Sequence, residues 1–191
     1  MSLLRRALGL DRAATDAPFD VNAPLPAAPA GETESVRRIA ARLTALPPAR
    51  ARYVAAFAYL LGRAANATLA VSETEIAEMG RQVVEIGGLD AETAAIVVEL
   101  AGTRAADFGP TEDYLVTREF KAMSTAEDRL RLLRCCLLVM AADDEVDATE
   151  AWLTNRLAEE LDVERQDLNR IRAEFHERIS GIRELRKLRP G

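Results

Sequence analysis

CLLVMAADDEVDATEAWLTNRL, residues Cys136–Leu157, is the stretch that decides the fold. It opens as an apolar helix, passes through an acidic turn at Asp143–Asp147, and re-enters a helix behind Glu150. Working outward, Leu130, Leu133, Leu137 and Met140 repeat at helical spacing on one side. On the other side Leu168, Ile171, Phe175, Ile179, Ile182 and Leu185 mark a long C-terminal helix. Similar stripes run through Tyr53, Phe57, Leu60 and Leu61, and through Ile76, Met79, Val83 and Ile86. No segment sustains the alternation of a strand, so the predicted fold is all-α.

A second stretch reads like the first. AYLLGRAANATLAVSETEIAEM, from Ala58, has the same apolar helix, small-residue turn, polar loop and Glu-led helix. Pairing them places Asn66 with Asp143, Thr68 with Glu145, Ala70 with Asp147, and Glu73 with Glu150. Each is followed by a Leu-Asp turn, Leu89-Asp90 and Leu161-Asp162, with the first copy's middle helix expected to be several residues longer. Two related helix-loop-helix repeats sharing one core are the expected architecture.

Helix starts are signalled by Ser72 with Glu75 and by Ser124 with Glu127, each a capping-box pattern. Gly87-Gly88 and Gly109-Pro110 mark stops. Four prolines between Asp11 and Glu32 identify a linker. The expected organisation is a short amphipathic segment over 1–10, a Pro/Ala-rich linker over 11–34, a helical domain over 35–180 and a basic tail over 181–191.

The 191 residues are 49% hydrophobic and 29% charged, a globular balance, with aromatics at 5%. Ala and Leu dominate the apolar share, which favours helix. A net charge of −6 argues against nucleic acid as a partner, because phosphate binding needs a basic face. No secretory-leader pattern and no apolar run of about 18 residues is present, so a cytoplasmic protein is expected. Cys135 and Cys136 are neighbours in an apolar helical run, which points to reduced core thiols.

Asp143, Asp144, Glu145, Asp147 and Glu150 crowd five carboxylates into eight residues. Such groups repel one another and are relieved by a proton or a cation, and hard divalent ions take oxygen ligands of this kind. The loop is not an EF-hand: Ala148 stands where the glycine would be and Thr154 where the bidentate glutamate would be. A plain alternative explains two of the acids. Asp147 as N-cap with Glu150 three residues on is a capping box, and negative charge near a helix N-terminus stabilises it by roughly 0.3–1 kcal/mol.

At these residues the chain resembles the TerB-like family, named for the tellurite-resistance protein TerB. That family's mark is an apolar helix followed by A-D-G-x-I-x-x-x-E, present twice. AADDEVDATE (Ala141–Glu150) fits the second copy well, and AANATLAVSE, ending at Glu73, fits the first poorly. The motif's glycine is Asp144 in one copy and Ala67 in the other. The resemblance spans about Ala51 to Phe175. It implies an all-helical fold of two repeats, a link to tellurite and chemical stress, proximity to a membrane surface, and acidic loops that gather a divalent metal ion, often Ca²⁺. Carried onto this sequence, the metal ligands are Asp143, Asp147 and Glu150, with Glu145 added, and in the first copy Glu73 and Asn66.

Other features carry less. His176, the single histidine, lies beside Glu174 and Glu177 without a nucleophile partner, and no phosphate-binding glycine loop exists, so no enzyme is expected. Arg183, Arg186, Lys187 and Arg189 either complement a helix dipole or form an amphipathic contact. Leu3, Leu4 and Leu8 opposite Arg5 and Arg6 suit docking on a protein partner, with peripheral contact at the inner membrane surface as the weaker alternative. Trp152 is expected in the core. Two functions follow: a non-enzymatic metal-binding or metal-sensing stress protein, or a metal-free helical adaptor that binds a protein partner.

Overall fold

The computed structural model describes residues 34–65, 73–101, 110–140 and 148–187, together with residues 7, 8 and 22. Among these, all regular structure is helical: α1 (Glu34–Thr44), α2 (Pro48–Ala65), α3 (Glu73–Glu85), α4 (Ala91–Ala101), α5 (Pro110–Met123), α6 (Ala126–Met140), α7 (Ala148–Glu160) and α8 (Arg165–Lys187).

Local chemistry sets the boundaries. Pro47 and Pro48 separate α1 from α2, and Pro48 and Pro110 each occupy the first position of a helix, where a missing N–H costs nothing. Pro110 therefore starts a helix instead of ending one. Asp90 caps α4, accepting from the Thr93 amide at 2.8 Å and the Thr93 hydroxyl at 2.7 Å. Thr125 and Asp128 form the capping box of α6: the Thr125 amide donates to Asp128 at 3.0 Å and the Asp128 amide donates to the Thr125 hydroxyl at 3.2 Å. The sequence pattern put this box one residue earlier, on Ser124 and Glu127; the structure corrects it. The Ser72 box lies outside the described residues.

α2 is the hub. Every residue from Ala51 to Gly62 is buried, so the expected one-sided stripe of Tyr53, Phe57, Leu60 and Leu61 is instead a helix enclosed on all sides. It contacts α1, α4, α5 and α6. Its alanines allow that crowding, and at Gly62 an added Cβ would stand 2.9 Å from the Ala101 carbonyl oxygen of α4. Tyr53, Phe57 and Phe120 form an aromatic cluster with ring centroids 5.3–6.2 Å apart.

α6 lies against α2 and carries α3, α7 and α8. Leu132, Leu133, Cys135, Cys136, Leu137 and Met140 are buried there. On α8, Leu168, Ile171 and Phe175 face the core. That helix runs on to Lys187, so the expected domain boundary after residue 180 falls inside a continuous helix. Ala7 and Leu8 are 2% and 3% exposed and belong to the same core cluster, so Leu8 packs within this chain.

Candidate functional site

The expected metal ligands sit where the least is described. Asn66, Asp143, Glu145 and Asp147 lie outside the described residues, and Glu73 and Glu150 are described as helical backbone only. The described helices nonetheless frame both connections. One joins α2 to α3 across 66–72, and the other joins α6 to α7 across 141–147.

The described ends and buried positions of α3 and α7 give a spacing of their own. Glu85 and Glu160, the last residues of α3 and α7, are 75 positions apart. The sequence pairing used 77. Burial agrees with 75: buried Met79, Gln82 and Val83 of α3 fall opposite buried Thr154, Leu157 and Ala158 of α7. Placed this way, Glu75 is the counterpart of Glu150, Ser72 of Asp147, Thr68 of Asp143 and Ala70 of Glu145.

The Leu-Asp turns are not equivalent either. Gly88 and Asp162 both have positive φ, at 66° and 52°, and each reverses the chain after its middle helix. Asp90 and Glu164 then each accept the first i to i+4 backbone bond of the next helix, from Ala94 at 2.8 Å and Leu168 at 3.0 Å. Asp90 therefore corresponds to Glu164, two positions beyond its expected partner Asp162.

A charged cluster that the sequence reading missed joins three helices. Arg63 of α2 lies 3.4 Å from Asp113 of α5 and 3.1 Å from Glu160 of α7. The Tyr59 hydroxyl donates to Asp113, Thr117 Oγ1 donates to Glu160 at 3.2 Å, and Arg156 Nε donates to Glu160 at 2.9 Å. Arg63 is the one charged residue between Tyr53 and Ala65, and a lone cation in so apolar a helix was the available signal. Both carboxylates are held by several donors, so the cluster is suited to fixing α5 and α7 against α2 and not to moving protons.

Cys135 and Cys136 are fully buried, their thiols 3.9 Å from the Gln82 and Leu60 carbonyl oxygens. Burial pushes the Cys135 thiol up to about 12 and raises Cys136 as well, with Cys135 adding to that rise, which is the character of inert core thiols. His176 is exposed. Trp152 is 58% exposed, which overturns its expected place in the core. It edges a cleft of about 490 Å³ between α7 and α8. A smaller groove of about 240 Å³, lined by Ile86, Leu137, Leu138, Ile171 and Phe175, has Arg134 and Glu174 paired at 3.1 Å on its rim.

Among the described residues no group of three or more His, Cys, Asp or Glu side chains is placed to hold a metal ion, and no helix is long and apolar enough to cross a membrane. A family model described as tellurite resistance protein TerB matches residues 54–173, more than half of the chain. No curated protein and no solved structure matches it.

Proposed function

Since the chain belongs to the TerB family, we propose that it is a non-enzymatic metal-binding protein of the tellurite and chemical-stress response, with its ion held at the second interhelical connection. The ligands are Asp143, Glu145, Asp147 and Glu150. The observation that carries this reading is the placement of Glu150 in the first turn of α7, directly after a seven-residue connection rich in carboxylates. The donor set is all oxygen, which suits Ca²⁺ or Mg²⁺ better than a thiol- or imidazole-preferring ion. The two connections differ in their acids. Residues 66–72 hold no Asp or Glu where residues 141–147 hold four, leaving only Asn66 and the following Glu73 at the first connection, so one ion per chain is expected.

An ion there neutralises the crowded acids and fixes the approach of α7 to α6. Because α7 also carries Glu160 into the charged cluster, a change in its seating reaches α2 and α5, and that surface is where a protein partner would sense the ion.

Thermal unfolding in EDTA and in Ca²⁺, Mg²⁺, Mn²⁺ or Zn²⁺, followed by circular dichroism, tests the proposal. A saturable rise in Tm, absent from Asp143→Asn/Asp147→Asn, is expected for at least one ion. Unchanged Tm with every ion at about millimolar concentration, the range of the weakest protein calcium sites, would leave the metal-free adaptor instead.

A further inference from the structure

We propose that the cleft between α7 and α8 binds a small planar aromatic anion, its ring on Trp152 and its negative group on Arg165 and Arg156. The cleft's volume of about 490 Å³ lies within the span of roughly 300–1,000 Å³ that small-molecule sites occupy. Its apolar contributors, Ala158, Val163 and Leu168, come from α7, α8 and the turn between them.

Trp152 is the chain's single tryptophan, and its 58% exposed ring presents a large apolar face at the edge of this cleft. The Arg156 guanidinium stands 5.5 Å from the ring centroid, over one face. That guanidinium is itself held by Glu160 at 2.9 Å. The ring is therefore steadied from one side while more than half of its surface stays open, which is the arrangement of a stacking platform.

The charge of the cleft opposes that of the chain. Arg165 lines it and, among the described residues, has no ion-pair partner. Close by, Arg172 donates to the Ala151 carbonyl oxygen at 3.3 Å, next to Trp152 in sequence. Burial, and then the neighbouring Arg165, make Arg172 release its proton more readily than usual, so two cations stand near enough to repel. Arg165 is also the first residue of α8, where the helix dipole adds positive potential. Glu159 is the one acid lining the cleft.

This inference stands apart from the metal proposal and uses none of its ligands. The probe is 2-naphthoate, titrated into the full chain while the single Trp152 indole N–H resonance is followed by NMR. A saturable shift is expected, with affinity at least about tenfold weaker for neutral 2-naphthamide and for the Arg165→Gln variant, a difference of about 1.4 kcal/mol. Trp152→Ala, followed through backbone amides on α7 and α8, is expected to abolish binding; both side chains are on the surface, so the variants keep the wild-type melting curve. No saturable shift up to about 10 mM, far weaker than a millimolar site, overturns the proposal. So does binding that naphthamide or Arg165→Gln leaves unchanged.

Discussion

Glu160 at the last residue of α7 and Arg63 near the end of α2 meet at 3.1 Å, each side chain about one-seventh exposed. A carboxylate at a helix C-terminus opposes the helix dipole, so this position is unfavourable on local grounds. It is held by three donors from three helices: Arg63, Thr117 and Arg156.

Glu160→Gln should therefore destabilise the chain by about 2 kcal/mol, because it strips charge from several shielded hydrogen bonds at once and leaves Arg63 with Asp113 alone. Arg156→Ala, which removes the more exposed partner of the same carboxylate, should cost less than about 0.5 kcal/mol. Urea unfolding of the two variants gives the comparison. Equal losses would mean that the cluster does not clamp α2 to α7.

Asp128 links the capping box of α6 to acid stability. Burial alone would raise its pKa, but hydrogen bonds from Thr125, the Arg131 charge and the Tyr53 hydroxyl outweigh burial and hold it below the ordinary 3.8. A carboxylate depressed on folding contributes stability that is full above its unfolded value and is lost as pH falls through the lower folded one. Asp128→Ala should thus cost about 1 kcal/mol at neutral pH through the lost cap, with a shrinking difference from wild type below about pH 4. Urea midpoints measured down the acid limb check both parts.

The two reversing turns differ in how they reach positive φ. Gly88→Ala should cost about 1 kcal/mol, since an L side chain at φ 66° is strained and its Cβ would meet the Arg131 guanidinium at 2.7 Å. Asp162→Gly relieves the same strain at φ 52° but deletes the 2.7 Å ion pair with Lys121, so its stability should stay within about 0.5 kcal/mol of wild type. Thermal melts of the pair test the asymmetry.

Cys135 and Cys136 should react with Ellman's reagent at least about 100-fold more slowly in the native chain than in urea, where both thiols become titratable. Fast labelling of the folded protein would show that α6 opens readily from α2.

The cores of these helices were legible in the residues that form them. Met79 and Val83, Leu133, Leu137 and Met140, and Leu168, Ile171 and Phe175 all lie at helical spacing and all are buried. The capping box of α6 was misplaced by one residue because Ser124 and Thr125 are both good caps, and the pattern does not distinguish which hydroxyl the backbone selects.

By itself the sequence determined the all-helical class, the core faces of most helices and the inert setting of the two thiols, because spacing and apolar surroundings are properties of a single segment. Only the tertiary structure decided the joining of Tyr59, Arg63, Asp113, Thr117 and Glu160 across three helices and the exposure of Trp152. Each of these depends on which neighbour a side chain meets from elsewhere in the chain, and no local pattern carries that information.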